Sequence, residues 1–451
     1  MNPMNTPKLI ACGVLAGGIC AGLATRPDAQ SVTTAFVGVS ALPMDKEAVL
    51  ADQTVIVRDG KIASIALSAN AQIPAGAVRI DGKGKFLMPG LAEMHAHIPG
   101  GQALDAAVER TLFLYAASGI TTIRGMLGDP RHLTYRDRAA RGEIVSPLIY
   151  TSGPSFNAKT APTIAMAVEA VIAQKKAGYD LLKIHPGVPR DVFDALAAKA
   201  DELKIPFAGH VPAAVGLLRA LEARYASIDH LDGYVEGLTK DPSQVSQFFG
   251  TNLMGQVDES KFPALIAASK AAMVWQVPTQ VLLDNLLNDV PAEELAARPE
   301  MKYMPPETIK GWVGQKQKFL QIAQADRAKL LGLRRRFIKA LHDAGVPFAL
   351  GSDAPQYWNV PGFSAHRELR SMVDAGLTPY QALRTGTVNV GVYFKTESTT
   401  GTLAAGKRAD LLLLDANPLQ NIDNTWKIAG VMVNGRWLSK ADIEKRLGEG
   451  S

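Results

Sequence analysis

From residue 91 onward the chain alternates short apolar runs with Ala-rich amphipathic segments, and this alternation constrains the fold more than any other feature. The runs are Thr121-Thr122-Ile123, Leu148-Ile149-Tyr150, Leu181-Leu182-Lys183-Ile184, Phe207-Ala208-Gly209, Ala226-Ser227-Ile228, Met273-Val274-Trp275 and Pro347-Phe348-Ala349-Leu350. Segments such as 192–203 and 213–223 between them carry apolar residues at helical spacing. With the stretch that ends at His97, the strands number eight, typically roughly 20 to 35 residues apart, the signature of a (β/α)8 barrel. Two longer spacings mark insertions at 235–262 and 282–332, the second mostly helical from residue 306 to 344. Insertions after the sixth and seventh strands sit over the C-terminal face, where they can form a lid.

Both chain ends read differently. Residues 31–88 hold β-branched runs, with Asp59-Gly60 as a hairpin turn before Lys61-Ile62-Ala63-Ser64-Ile65. Residues 400–440 return to strands, with Asn434-Gly435 as a second hairpin turn. The economical reading is one small β-sandwich built from both ends beside a barrel at 89–399. At 451 residues, 47% hydrophobic and 20% charged, the chain can bury a large core. A net charge of +5 without a long Lys/Arg run gives little support to nucleic-acid binding.

The N-terminus reads as an export signal over residues 1–24, with cleavage as late as residue 30. Lys8 precedes an apolar stretch at 9–24 that is short for a membrane span, and Gly22-Leu23-Ala24 fits a small-x-small cleavage site. A retained anchor and a lipoprotein signal at Cys12 are minority readings. Cys12 and Cys20, the only cysteines, both fall in this segment. The mature chain then has no disulfide and no thiolate metal ligand, and a periplasmic or secreted location is expected. No stable membrane span is expected after processing, and the chain is compatible with a homo-oligomer.

Chemistry collects at the strand ends. In Leu91-Ala92-Glu93-Met94-His95-Ala96-His97 the two histidines share a face only on a strand. His210 follows the fifth strand, His230 the sixth and Asp353 the eighth, all at the end of a barrel where catalytic groups gather. Any one histidine reads better as a hydrogen-bonded structural residue, and His132 and His342 are read that way. Four imidazoles and a carboxylate converging at one mouth make an N/O ligand set suited to zinc or a similar divalent ion. Lys183 sits inside an apolar strand, where burial lowers an amine pKa. A neutral amine there can add carbon dioxide, and the carbamate can bridge two metals. The alternative is a snorkelling or ion-paired lysine.

These residues resemble the amidohydrolase superfamily in its binuclear imidazolonepropionase-like or prolidase-like branch. The likeness rests on Met88-Pro89-Gly90-Leu91-Ala92-Glu93-Met94-His95-Ala96-His97, Lys183-Ile184-His185, Ala208-Gly209-His210-Val211, Asp229-His230-Leu231 and Leu350-Gly351-Ser352-Asp353-Ala354. It extends to Gly401-Thr402-Leu403-Ala404-Ala405-Gly406-Lys407-Arg408-Ala409-Asp410-Leu411 and so spans nearly the whole mature chain. The resemblance implies that His95, His97 and Asp353 hold one ion, that His210 and His230 hold the other, and that N-carboxylated Lys183 bridges them. Two such ions lower the pKa of a shared water and polarise a carbonyl, with Asp353 as proton acceptor and donor. The resemblance makes substrate contact a candidate role for Tyr234, just past His230. His185 and Arg124 are further substrate-binding candidates by their place near strand ends. The activity this suggests is hydrolysis of a C–N amide bond, in a dipeptide or an N-acyl amino acid. A lactonase or esterase is the alternative, and a non-catalytic binding protein on the same fold a weaker one. Lys183 argues against a mononuclear deaminase or a true imidazolonepropionase.

Overall fold

The computed structural model describes residues 33–241, 246 and 248–449. The candidate export segment at 1–24 lies outside the described residues. Among those described, no helix is long and apolar enough to cross a membrane.

The N-terminal part supplies β1 (Thr34–Ala41), β2 (Leu50–Arg58), β3 (Lys61–Leu67), β4 (Val78–Asp81) and β5 (Phe86–Pro89). The barrel follows with β6 (Leu91–Ala96), β7 (Ile120–Gly125), β8 (Leu148–Thr151), β9 (Leu182–Ile184), β10 (Phe207–Gly209), β11 (Ser227–Asp229) and β12 (Trp275–Val277). The chain then returns to β13 (Leu411–Leu414), β14 (Ile428–Val433) and β15 (Arg436–Ser439).

The two ends share one sheet, in the order β15-β14-β13-β5-β1-β2-β3 with β4 beside β1. Phe36 on β1 and Trp437 on β15 would be about 19 Å apart in a flat sheet with four interstrand steps between them. Their ring centroids are 5.1 Å apart, so the sheet folds over on itself. Hydrogen bonds from Ile62 to the Lys407 carbonyl and from Ala409 to the Gly60 carbonyl close the free edge. Between the two layers lies a core of its own, with Phe36, Val55, Ile62, Leu87, Leu411 and Met432. This is the expected sandwich from both ends. The alternation that signalled it in the sequence is the period of a strand with one face on that core.

The barrel strands run parallel, β6 to β8 in one ladder and β9 to β12 in another. Bridges from Ser152 to Leu181 and from Phe156 to Ile184 join the two ladders. The remaining gap is filled by residues 347–350. Ala349 N donates to the Gln276 carbonyl at 2.9 Å, and Met94 N to the Leu350 carbonyl at 2.7 Å. The eighth strand therefore lies between β12 and β6, and the barrel is closed.

The boundaries moved in two places. The run at 273–275 forms its strand at Trp275–Val277, because Met273 caps the preceding helix Phe262–Ala272 with φ 53°. The helix expected at 213–223 contracts to Leu217–Glu222, since Gly216 at φ 74° precedes its first turn. Residues 306–344 are helical as expected, as Pro306–Phe319 and Gln324–Asp343. The first insertion does reach over the barrel mouth. Its irregular stretch Phe248–Gln256 brings the Phe249 ring centroid 5.7 Å from that of His230. Of the second, only Leu282 lines the cavity among the described residues.

Candidate metal centre

The six candidate ligands are delivered by five barrel strands, His95 and His97 both by β6. On β6 the side chains alternate, so Glu93 and His95 share one face, with His97 just beyond the strand. His97 Nε2 lies 2.7 Å from Asp353 Oδ1, and His95 Nε2 lies 3.6 Å from the same oxygen. One donor atom from each of His95, His97 and Asp353 falls within 4.8 Å of the other two, a group able to hold a metal ion. The His230 ring is 4.5 Å from that of His95 and 4.3 Å from that of His210. The four imidazoles therefore form one continuous cluster. Lys183, fully buried on β9, points its Nζ to within 3.2 Å of His95 Nε2. All six sequence candidates for ligands are brought together.

Backbone geometry makes the room. Gly209 takes φ 120°, and a Cβ on it would meet the Lys183 Cδ at 2.8 Å. Gly351 packs so closely that a Cβ would lie 3.0 Å from the backbone nitrogen of His95.

Burial sets the protonation states. Desolvation lowers the Lys183 amine from its ordinary value to about 8, with the Arg124 charge adding in the same direction against nearby carboxylates. His210 falls to about 3 and His185 to about 2, first by burial and then through the Lys183 charge. His95 and His230 are pushed well below their usual range, again chiefly by burial. These imidazoles are neutral at ordinary pH, the state a metal ligand requires.

Three groups orient the rings, and none of them was assigned a role in the sequence. His95 Nδ1 is 2.7 Å from Asp229 Oδ2, His210 Nδ1 is 2.7 Å from Asp232 Oδ2, and His230 Nδ1 is 2.8 Å from Thr279 Oγ1. Asp232 and Thr279 hydrogen-bond Nδ1 of His210 and His230, while Asp229 approaches His95 Nδ1 without the alignment of a hydrogen bond; each leaves Nε2 for the centre. His230 Nε2 is buried with no hydrogen-bond partner among the described residues. A buried orphan acceptor is costly unless something binds it, so the donor set fits a divalent ion. Glu93 and Gln356 complete the surroundings. Glu93 accepts the backbone N–H of His95 at 3.0 Å and of Ser352 at 2.7 Å, and so ties β6 to the Asp353 loop. Gln356 Nε2 donates to Asp353 Oδ1 at 2.9 Å. Asp229 and Asp232 flank His230 at −1 and +2, and that spacing was the one signal available in the sequence.

The three candidates for substrate contact separate. His185 lines the cavity above the centre and stacks on His210 with ring centroids 5.2 Å apart. Tyr234 does not reach it. Its ring is fully buried against Phe337, and its hydroxyl is 2.8 Å from Ser269 Oγ, because the short helix Tyr234–Gly237 turns the side chain toward the packed helices. Arg124 is also misplaced as a substrate contact. It is buried inside the barrel beneath the ligands, paired with Asp229 at 3.2 Å. The cavity itself has about 860 Å³ and is walled by Val211, Leu217, Leu265, Leu282 and Phe249, with His185, His210, Asp232 and Asp353 on the barrel side.

The model of the Amidohydrolase family matches residues 86–438. The chain belongs to the amidohydrolase family. It is 25% identical over 423 residues to an imidazolonepropionase of Pseudomonas paraeruginosa, covering 88% of this chain and 93% of that protein. Among solved structures, a candidate prolidase from Bifidobacterium longum superposes with a TM-score of 0.68 at 25% identity, over 93% of this chain and 99% of that one. A bottromycin amidohydrolase gives 0.70 at 22% identity, over 93% and 91%, a likeness of fold. As a member of this amidohydrolase family the protein is a hydrolase acting on C–N bonds, with the barrel and sandwich arranged as in these relatives.

Proposed function

We propose that the protein is a binuclear metal hydrolase that cuts the amide bond of a dipeptide or an N-acyl amino acid. The observation that carries this reading is Lys183, fully buried among the imidazoles, with its amine lowered to about 8. Such an amine is deprotonated often enough near neutral pH to take up carbon dioxide as a bridging carbamate. In this reading His95, His97 and Asp353 would hold one ion, His210 and His230 the second, and carboxylated Lys183 would serve as a ligand to both. Zinc suits the imidazole-rich set. Bound ions of this kind supply a water of lowered pKa and a Lewis acid for the scissile carbonyl.

The chain's own residues do the rest. The Asp353 carboxylate takes the proton of the attacking water and returns it to the leaving amine nitrogen. Gln356, donating to Oδ1, keeps the carboxylate turned toward His97. Neutral His185 faces the cavity and donates an N–H to the carbonyl oxygen as charge develops there. Arg190 and Arg219 on the cavity wall, both anchored by Asp194 at 2.9 and 2.8 Å, retain N–H donors for a substrate carboxylate. The apolar wall takes the acyl or side-chain part. Residues 1–24 support export, which N-terminal sequencing of the mature protein would test.

The deciding experiment is metal analysis and intact-mass measurement of the purified protein, followed by a screen of dipeptides, N-acyl amino acids and lactones. Two ions per chain, a carboxylated Lys183 and turnover of the amides are expected. Fewer than two ions in fully loaded protein with Lys183 unmodified would sink the binuclear reading. Turnover of lactones alone would replace the amidase with a lactonase.

A further inference from the structure

Arg124 crosses the barrel interior from β7 and connects three strands. Its Nε donates to the Met94 carbonyl on β6 at 2.6 Å. Nη1 donates to Ser227 Oγ on β11 at 2.8 Å and to the Tyr393 hydroxyl at 2.7 Å. Nη2 lies 3.2 Å from each carboxylate oxygen of Asp229. A guanidinium has five N–H donors, and these five contacts occupy them all. None is left for a substrate. Asp229 is held equally firmly, because its Oδ1 also accepts the Ser227 hydroxyl at 2.6 Å while Oδ2 faces His95 Nδ1.

We infer that Arg124 is a positioning residue for the metal centre: it fixes Asp229, which fixes the His95 ring with Nε2 toward Lys183 and Asp353. The inference rests on the metal reading above. A carboxylate this deeply buried needs a compensating charge, and Asp229 finds it in the guanidinium, whose Nη2 meets both of its oxygens. Asp229 Oδ2, 2.7 Å from Nδ1 but off the line of a hydrogen bond, favours by its charge the His95 tautomer with the proton on Nδ1, which frees Nε2 as a ligand. Arg124 thus controls metal affinity while touching neither metal nor substrate. A lysine would bring the charge but could not span Met94, Ser227, Tyr393 and Asp229 at once.

The test is titration of the metal-free protein with Co2+ against a competing chelator, followed by the d–d absorption bands. The wild type must bind two ions; if it does not, the binuclear reading itself fails, whatever the variants do. Given two ions, Arg124→Met and Asp229→Asn are each expected to weaken binding by ~10- to 100-fold and to alter the bands, as loss of an orienting partner does. Arg124→Lys should fall between these and the wild type. Because the two residues act in series, Arg124→Met with Asp229→Asn should bind no more weakly than Asp229→Asn alone. That double variant strands no buried charge, so it decides the matter if Arg124→Met fails to fold. Affinity of Arg124→Met within about twofold of the wild type, the usual scatter of independent sites, would overturn the inference. So would losses that multiply in the double variant, or a raised KM at full metal loading, which would return Arg124 to substrate contact.

Discussion

Replacing Gly209 by alanine should damage the protein at one identifiable point. Gly209 closes β10 directly before His210 and holds φ 120°, where an L-residue is strained by about 1 to 3 kcal/mol. The added Cβ would lie 2.6 Å from the Ile184 carbonyl oxygen, 2.8 Å from Lys183 Cδ and 3.1 Å from Cε. That oxygen accepts the His210 N–H at 3.0 Å and is held in place, so the lysine side chain must give way. Forced overpacking of this kind costs about 1 to 3 kcal/mol more, roughly 2 to 6 kcal/mol together. For a chain of this size the entropy of unfolding is about 0.9 kcal/mol per kelvin, so Tm should fall by roughly 2 to 7 °C. The displaced Nζ now sits 3.2 Å from His95 Nε2, so metal content should fall along with stability. Thermal melts of the metal-free protein and elemental analysis of the purified variant read the two effects separately. A Gly209→Ala protein that melts with the wild type and carries the same metal would refute the argument that this glycine makes room for the lysine.

Asp353→Asn should keep its metal and lose turnover by about 100-fold or more, the scale of a general base, with KM little changed; steady-state kinetics on fully loaded enzyme check this, and unchanged kcat would remove the proton-transfer role. Arg219→Ala should raise KM for substrates with a free carboxylate and leave their amidated analogues unaffected; equal effects on both would remove the carboxylate reading. Glu368 supplies a pH dependence. Burial raises its carboxyl to about 8 although it accepts the N–H groups of Gln280 and Val281. Between about 4.5 and about 8 the folded chain keeps a proton that the unfolded chain has released, so this group makes stability fall as pH rises through that window. The Tm of the wild type relative to Glu368→Gln should decline over the same range, and a parallel pair of curves would exclude the effect.

The fold and the ligands were legible because each carries a local pattern. His95 and His97 declare a strand by their spacing, and Lys183 stands out as a lone charge in an apolar run. The sandwich was legible through its two hairpin turns, Asp59-Gly60 and Asn434-Gly435, which meet in space where Gly435 packs against Gly60. What failed was direction. Tyr234 and Arg124 are both near strand ends, but whether a side chain there points up into the mouth, down into the barrel or out to the helices depends on one or two backbone angles. Tyr234 follows Gly233 at φ 84°, which swings it outward. Arg124 follows the strand alternation inward, where Asp229 is waiting. Asp229, Asp232 and Thr279 were given no role because an orienting partner is defined by a distance across the barrel, of which the spacing of the two aspartates from His230 is the only trace in the sequence. The C-terminal helix Lys440–Gly448, with its Ser439 cap, also went unread.

The backbone explains why the ligands converge so closely. His230 and Asp353 both adopt left-handed conformations, at φ 64° and φ 65°, as do Leu231, Thr279 and Tyr357 nearby. Residues with side chains pay about 1 to 3 kcal/mol for such conformations when nothing else favours them. Extended strands would carry His230 and Asp353 straight on past the mouth, away from His95. The left-handed turn folds each back over the barrel axis, and separate anchors hold it there. Arg334 donates to the carbonyls of His230 and Pro278 at 2.6 and 2.9 Å, while Glu93 grips Ser352 beside Asp353. These anchors come from the helix Gln324–Asp343, which leads out of the second insertion, and from the first barrel strand, elements far apart in sequence. The strain at the centre is thus held by contacts that reach across the closed barrel.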